Sequence, residues 1–174
     1  MHGMPLSAMA LSRRNVLLGA ASSLWAWGDS RAASSETAGT AIDWSPLRML
    51  DGSAFKAQDW QGLPVVVVFW ATWCPYCKRH NAHVEQLFQA SMGTKLRVLG
   101  VSTETDQAKV QRYLDANQFH FPVALADNRF RAQFSDRRVV PLTCLVSAKG
   151  RLVQAVPGEW SRDDVMALAA AAWA

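Results

Sequence analysis

Runs of consecutive apolar residues, separated by turn-forming residues, predict the strands of this chain. Val65–Trp70 is the clearest case, because it is an unbroken apolar run rich in β-branched residues that follows Gly62 and Pro64. Such a run indicates a central strand that is buried on both faces. Further strands are predicted at residues 96–101, 121–126, Leu142–Val146 and 152–156.

Helical spacing of apolar residues predicts the remaining elements. Helices are expected at residues 75–90, at residues 106–116 and from Ser161 to the end of the chain, with one or two helical turns at residues 128–134. The last helix opens with Ser161 and, three residues later, Asp164, which matches the pattern that caps a helix N-terminus.

The order of these elements predicts the fold class. Strands and helices alternate in the first half, which implies parallel strands, whereas the last two strands are joined by a short turn at residues 148–150 and imply an antiparallel edge. Asp51 and Gly52, with apolar residues on either side, predict a short β-hairpin before the first long strand. We therefore expect an α/β fold with a mixed central sheet flanked by helices and an N-terminal β-hairpin extension.

The N-terminal segment has the pattern of an export signal. Arg13 and Arg14 precede a moderately apolar stretch, residues 15–27, which is shorter than the roughly 20 residues that a membrane span needs. The segment resembles a twin-arginine signal but lacks the Phe usual after the arginine pair, so the general secretory route stays open. We predict an export signal at residues 1–32, a linker at 33–44 and a single domain at 45–174.

This signal predicts where the protein works. Small residues at Ser30 and Ala32 suit cleavage after Ala32, which would release the domain into the periplasm. An uncleaved signal would instead tether the domain to the membrane, and a cytosolic protein with a frayed leader is the alternative. Export matters for the chemistry, because disulfides persist outside the cytosol.

Composition narrows the functional classes. The chain has 174 residues, 50% of them hydrophobic, which suits one packed core rather than two domains or a disordered chain. The net charge is +4 and no run of Lys and Arg is longer than two residues, so no nucleic-acid partner is expected. Three cysteines are too few for a small protein stapled by disulfides.

The candidate chemistry lies at one strand-to-helix turn. Cys74 and Cys77, with Pro75 and Tyr76 between them, follow the buried strand directly and open the next helix. At a helix N-terminus, unpaired backbone N–H groups and the positive end of the helix dipole favour a thiolate over a thiol. We therefore expect Cys74 to attack a substrate disulfide and Cys77, one turn further along, to release the mixed disulfide. Pro75 suits the first helical position.

Two other interpretations of the cysteine pair stay open. A structural zinc site would need further ligands, which the chain could draw only from Cys144, His80, His83 and His120, and none of these forms a second Cys-x-x-Cys. An inert structural disulfide is the other alternative. We expect no bound metal and no cofactor.

Pro141 is the second candidate feature of the site. A proline that enters a strand has no N–H to donate, so it must begin the strand or mark a special turn. We predict a cis peptide bond between Val140 and Pro141, with an ordinary edge proline as the alternative.

With these features in place, the chain resembles the exported thioredoxin-fold thiol–disulfide oxidoreductases of the TlpA/ResA type over about residues 45–173. The matching segments are VVVVFWATWCPYC at 65–77, VLGVSTE at 98–104 and PLTCLVSAKGRLV at 141–153. The resemblance implies a thioredoxin fold with Pro141 as a cis proline facing the cysteine pair. It also implies that the backbone of Val140 pairs with an extended substrate and that Trp73 flanks the reactive sulfur.

The resemblance is broken at several positions. Val68 stands where thioredoxin has a buried Asp that accepts the proton of the second cysteine, and His80 stands where relatives devoted to cytochrome c maturation often have a Glu. We expect His80 either to titrate near neutrality and move a proton or hold a thiolate, or to be a solvated helix residue. The stretch at residues 134–140 lacks the usual glycines and looks one residue longer.

These features predict a protein-disulfide reductase that acts on disulfides of exported proteins and contributes to cell redox homeostasis. The resemblance favours reduction, with electrons supplied by a membrane donor, and a monomer is expected. Trp73, Pro75, Tyr76 and Val140 are the predicted substrate contacts. Cys144 is expected to be a buried core thiol.

Two alternatives come from other functional classes. A peroxiredoxin-like peroxide reductase would need a Thr three residues before the reactive Cys, where the chain has Ala71 and places Thr72 one residue later. A Cu(I)-binding carrier would use Cys74, Cys77 and His80, since thiolates select Cu(I). Copper-handling proteins of this fold, however, usually have Cys-x-x-x-Cys spacing.

Overall fold

The computed structural model describes residues 39–45, 47–125 and 127–171. The predicted export signal at 1–32 and most of the predicted linker lie outside the described residues, as do the last three positions of the predicted C-terminal helix. Among the helices that the structure describes, none combines the length and the apolar character needed to cross a membrane.

The described residues form one mixed sheet with helices packed on it. The strands are β1 (Arg48–Met49), β2 (Val65–Trp70), β3 (Arg97–Ser102), β4 (Val123–Leu125), β5 (Leu142–Val146) and β6 (Leu152–Pro157). The helices are α1 (Pro75–Ser91), α2 (Gln107–Asn117), α3 (Asn128–Ala132) and α4 (Arg162–Ala171), with a 3₁₀ helix at Ala57–Trp60. The predicted elements are therefore present, with ends that differ by one or two residues.

The strand order is β1-β4-β3-β2-β5-β6 within the described residues. β2 pairs with β3 and β3 with β4 in parallel, whereas β5 pairs antiparallel with β2 and β6 antiparallel with β5. The expected mixed sheet is confirmed, with parallel strands from the first half of the chain and an antiparallel hairpin at one edge. β2 lies in the middle, and its C-terminal end carries the cysteine motif.

The central position of β2 explains its continuous apolar run. Val66, Val68 and Trp70 belong to the buried cluster that contains Val84 and Leu87 of α1. The alternate residues of β2 face the other side of the sheet, and every residue of the strand is buried. Each buried valine contributes about 1.5–3 kcal/mol to folding, so the strand is a rigid base for the turn that follows it.

Aromatic rings fill the opposite side of the sheet. Phe69 of β2 packs edge-on against Phe134 with ring centroids 5.1 Å apart, and Phe130 of α3 lies 5.1 Å from Phe134. This layer places α3, and the loop that leads from it to Pro141, under the end of β2 where the cysteines lie.

The predicted N-terminal hairpin is only rudimentary. A turn with Gly52 at a φ of 82° closes it, but the return is limited to an isolated bridge between Arg48 and Ala54. β1 pairs instead with β4, where Arg48 lies opposite Leu125 and Met49 opposite Ala124. The edge of the main sheet offers β1 more backbone partners than the short return strand does, so the extension becomes part of the sheet.

Candidate active site

Hydrogen bonds on both sides fix the turn between β2 and α1. The N–H of Cys74 donates to the carbonyl of Ala71 at 3.3 Å, which closes the turn. The N–H of Thr72 donates to Glu104 Oε2 at 2.9 Å, and the N–H of Thr103 donates to the carbonyl of Trp70 at 3.0 Å. The segment after β3 therefore holds the turn that presents the first cysteine.

Cys74 is the N-cap residue of α1, and Pro75 occupies the first turn. The N–H of Cys77 donates to Cys74 Sγ at 3.2 Å, so one of the otherwise unpaired donors of the helix end points at the sulfur. The thiol of Cys74 lies 3.7 Å from the carbonyl oxygen of Val140 and donates toward it. The sulfur of Cys74 therefore lies between the helix N-terminus and the segment that precedes Pro141.

The two cysteines have unequal surroundings. Cys74 keeps 4% of its surface exposed, whereas Cys77 is fully buried. Burial raises the pKa of Cys77, and the hydrogen bond between its thiol and Cys74 raises it further. Both are free thiols in the described structure. The N–H of Cys77 and the N-terminus of α1 thus face the sulfur of Cys74, whereas burial opposes ionisation of Cys77.

The peptide bond between Val140 and Pro141 is cis, which confirms the prediction from sequence. Pro141 is buried and Val140 is half-buried. The carbonyl of Pro141 accepts from the N–H of Gly158 at 2.9 Å, which joins this turn to the end of β6. The structure therefore brings the predicted proline and the predicted nucleophile together.

Exposed apolar side chains flank Cys74 in the sequence and also lie on the segment before Pro141. Trp73 is 68% exposed and Tyr76 58%, on either side of Cys74 in the chain, and Val139 is 42% exposed on the segment that approaches Cys74. Pro75 is exposed as well. Single exposed apolar residues are ordinary on protein surfaces, but several that flank one cysteine provide apolar surface for contact with a protein segment.

His80 is fully buried, and the expectation that it is a solvated helix residue is therefore wrong. The N–H of Trp160 donates to Nδ1 at 3.2 Å, so the neutral ring carries its proton on Nε2, which donates to Thr143 Oγ1 at 2.8 Å. Burial, with a smaller effect from the nearby His83, lowers the pKa of His80 to about 4. The expectation that it titrates near neutrality is wrong too, because the cation would lose its hydration.

Arg131 is a functional candidate that the sequence does not reveal. Its side chain is buried under the segment before Pro141, and Nη2 donates to the carbonyls of Arg137 at 3.1 Å and Val139 at 2.6 Å. Its guanidinium lies 5.1 Å from the centre of the Phe69 ring. An arginine in a short helix ordinarily extends into solvent, so only the tertiary structure shows that this one holds a loop.

Three other positions that the sequence analysis discusses lie in the core. Val68, Ala71 and Cys144 are all fully buried, and Val68 lies opposite Thr143 in the sheet. The complete burial of Cys144 confirms that it is a core residue, and this burial raises the pKa of its thiol. Among the described residues, no group of three or more His, Cys, Asp or Glu side chains is arranged to hold a metal ion.

Two further polar residues near the site, the buried Asn81 and the half-buried Tyr113, also escape sequence reasoning. Asn81 follows Cys77 by four residues on α1 and is fully buried, and Tyr113 of α2 packs against the cluster that contains Cys77. The sequence signal that could have identified Asn81 is its spacing of four residues from Cys77, because this spacing puts both residues on the same face of the helix.

Comparison with known proteins matches residues 39–154 to the model of the AhpC/TSA family. The thiol-disulfide oxidoreductase ResA of Halalkalibacterium halodurans is 26% identical over 112 residues, which are 64% of this chain and 64% of that protein. The thioredoxin-like protein YneN of Bacillus subtilis is 30% identical over 107 residues, 60% of this chain and 62% of that one. The match thus covers less than two thirds of either relative's length.

Solved structures share the fold. A thiol:disulfide interchange protein of the thioredoxin family from Chlorobium tepidum superposes with a TM-score of 0.69 at 20% identity, covering 82% of this chain and all of that one. A secreted Mycobacterium tuberculosis disulfide oxidoreductase, homologous to E. coli DsbE, gives a TM-score of 0.63 at 24% identity, covering 72% of this chain and 93% of that one. The expected thioredoxin-like fold is confirmed.

Proposed function

Since the chain belongs to the AhpC/TSA family, we propose that it is a thiol–disulfide oxidoreductase that reduces disulfides in exported proteins through Cys74 and Cys77. The observation that carries this proposal is the position of Cys74 Sγ. It accepts from the N–H of Cys77 at 3.2 Å and lies 3.7 Å from the carbonyl of Val140, next to the cis Pro141.

The first step is nucleophilic attack by Cys74. The sulfur attacks as a thiolate, whose negative charge the Cys77 N–H and the N-terminus of α1 stabilise. A new S–S bond forms between Cys74 and one sulfur of the substrate disulfide, and the other substrate sulfur leaves as a thiolate and takes up a proton.

The second step is attack by Cys77. Its thiol loses its proton and its sulfur attacks Cys74, so that the Cys74–Cys77 disulfide forms and the remaining substrate thiolate is released. Two electrons pass from the cysteine pair to the substrate in the whole cycle. The complete burial of Cys77 supports this order, because a buried sulfur is reached by Cys74 and not by a protein substrate.

Substrate binding follows from the exposed rim. We assign contacts with the substrate to Trp73, Pro75 and Tyr76, and backbone pairing with an extended substrate segment to Val140. The exposure of the two aromatic side chains supports this assignment. His80 enters the proposal as a neutral residue that holds α1 against β5, and proton transfer by His80 stays a prediction.

The direction of electron flow and the partners complete the proposal. We assign the protein a reductive role in the periplasm, as a monomer that receives electrons from a membrane donor. The resemblance to relatives named thiol-disulfide oxidoreductase supports the redox chemistry. The predicted export signal supports the compartment, since disulfides form and persist there.

Equilibration with glutathione buffers tests the proposal, with insulin reduction measured alongside. We expect a reversible two-electron couple within the range of about −270 to −120 mV that known Cys-x-x-Cys proteins span. Cys74→Ser and Cys77→Ser should both abolish the couple. Cys144→Ala is the matched control, since it removes a buried thiol outside the motif and should leave the couple in place.

Other outcomes would support the alternatives. Tight stoichiometric Cu(I) binding without a reversible couple would support a copper carrier, although both ring nitrogens of His80 are already engaged by Thr143 and Trp160. Fast peroxide reduction without insulin reduction would support a peroxidase. Either result contradicts the proposed function.

A further inference from the structure

Cys77 has to lose a proton that its surroundings hold firmly. Cys77 is fully buried, and burial raises the pKa of its thiol. The hydrogen bond between this thiol and Cys74 raises that pKa as well. The release of a mixed disulfide therefore needs a route by which this proton leaves, since a buried thiol attacks slowly and its thiolate attacks fast.

A buried polar cluster next to Cys77 has the chemistry that such a route requires. Within the described part of the chain, five buried side-chain atoms have no hydrogen-bond partner near this end of α1: Trp70 Nε1, Thr72 Oγ1, Asn81 Nδ2 and Oδ1, and the Tyr113 hydroxyl. An unsatisfied buried polar atom costs about 1–3 kcal/mol, so native proteins seldom leave several together without water. These atoms are therefore buried polar groups that can bind a further hydrogen-bond partner.

Tyr113 connects two other members of this buried polar cluster, Trp70 and Asn81. The rings of Trp70 and Tyr113 have centroids 5.0 Å apart. Asn81 lies one helical turn beyond Cys77 and is fully buried. It lies near enough to the Tyr113 hydroxyl to act on its pKa, but the two side chains do not form a hydrogen bond of normal geometry in the described structure. One water molecule between them can satisfy both.

The fold places Cys77 and Tyr113 in the same part of the core. Cys77 belongs to the buried cluster against which Tyr113 packs, and Asn81 lies one helical turn beyond Cys77 on the same face of α1. Burial is the main cause that raises the pKa of Tyr113 to about 12. Tyr113 is therefore neutral at working pH, and a neutral hydroxyl can accept a proton on its oxygen while it donates its own.

We propose that Asn81 and the Tyr113 hydroxyl hold water beside Cys77 and carry away its proton as it attacks the mixed disulfide. This inference rests on the proposed function and assigns these two residues a positioning role in its second step. The proton passes to the held water and then to solvent, the Cys77 sulfur bonds to Cys74, and the substrate sulfur leaves with its electron pair.

Reaction of the reduced protein with the aromatic disulfide DTNB separates the two steps. Attack by Cys74 releases one coloured thiolate, and attack by Cys77 on the resulting adduct releases the second. We expect Tyr113→Phe to slow the second release about tenfold or more, a size typical of lost proton-transfer assistance, and to leave the first within about twofold. The pH profile of the second release should also move to higher pH.

Asn81→Leu is the second variant, and it should slow the same step. Ser91→Ala is the matched control, because it removes another mostly buried hydroxyl from the far end of α1 and should leave both releases unchanged. Thermal unfolding checks that each variant is folded. Normal second release in both Tyr113→Phe and Asn81→Leu overturns the inference, whereas a wild-type protein with no second release overturns the proposed function itself.

Discussion

Two segments meet at Pro141 and are held in opposite ways. Residues 137–140, the leading segment, are held by Arg131, whose buried guanidinium donates to the carbonyls of Arg137 and Val139. Residues 158–160, the trailing segment, contact Pro141 through Gly158 and are held by His80, which accepts from the N–H of Trp160. One anchor is a cation and the other is a neutral ring.

These two residues, Arg131 and His80, are the anchors of the two segments. They differ in how many of their side-chain nitrogens have a hydrogen-bond partner. Both ring nitrogens of His80 have partners, Trp160 and Thr143. Within the described residues, by contrast, Nε and Nη1 of Arg131 have no hydrogen-bond partner. A neutral group whose hydrogen bonds are all formed, such as His80, stabilises the fold. A buried cation with unpaired donors, such as Arg131, costs desolvation energy, so its use lies in the segment that it holds in place. We therefore expect His80 to affect stability and Arg131 to affect substrate reaction.

The largest expected effect is the pH dependence of stability through His80. Its pKa is about 4 in the folded protein and 6.5 as the ordinary value, so the unfolded chain binds the proton more tightly. The stability that His80 contributes is present above pH 6.5 and is lost as the pH falls toward 4. The loss should reach about 3 kcal/mol, measured as the free energy of unfolding in urea across this range.

His80→Gln should remove this part of the pH dependence, because glutamine does not titrate. The comparison uses the slope of the free energy of unfolding against pH. It does not use the absolute free energy, since the glutamine side chain also changes the packing. Equal slopes for wild type and His80→Gln would contradict the assignment of His80 as the titrating anchor.

The same contrast shows what the sequence could predict and what it could not. The strand β2 was predicted because burial on both faces leaves a continuous apolar run, Val65–Trp70, and β5 because Leu142–Val146 is mostly apolar and precedes a short turn. The cysteine pair and the cis Pro141 were predictable because their chemistry depends on local context, a turn between strand and helix and a proline at a strand start. Local patterns thus carried the fold and the centre of the site.

The anchors were not predictable, because their burial depends on distant parts of the chain. His80 follows Lys78 and Arg79 on a helix of low overall hydrophobicity, and only β5 and the trailing segment enclose it. Arg131 reads as a solvated residue until Phe69 and the leading segment cover it. A polar residue inside an amphipathic helix gives no sign in sequence of whether a later element will pack against it.

Replacement of Arg131 is the next largest expected effect and tests the other side of the comparison. Arg131→Met leaves the carbonyls of Arg137 and Val139 without their donor, so the leading segment should lose its fixed position beside Cys74. We expect kcat/KM for insulin reduction to fall about tenfold, equivalent to about 1.4 kcal/mol, because KM rises. The first release from DTNB should change less than twofold, since a small disulfide does not need the segment.

The stability of Arg131→Met should stay within about 1 kcal/mol of the wild type, because the lost hydrogen bonds are offset by the removal of a buried and incompletely paired charge. Arg129→Met is the control, since it removes an exposed arginine from the same short helix and should leave both rates unchanged. A large loss of stability with unchanged insulin kinetics would mean that Arg131 supports the core and not the leading segment.

The smallest expected effect concerns an exposed link between α1 and the trailing segment. Arg79 donates to Glu159 through Nε at 2.7 Å and through Nη2 at 2.5 Å, next to the buried link between His80 and Trp160. The Arg79 side chain is 56% exposed, so water and salt screen the pair. Arg79→Gln should therefore leave the free energy of unfolding unchanged within experimental error at pH 7, in urea titrations at low and at high salt. A clear loss of stability at low salt that disappears at high salt would show that the exposed ion pair, and not the neutral ring beneath it, holds the trailing segment.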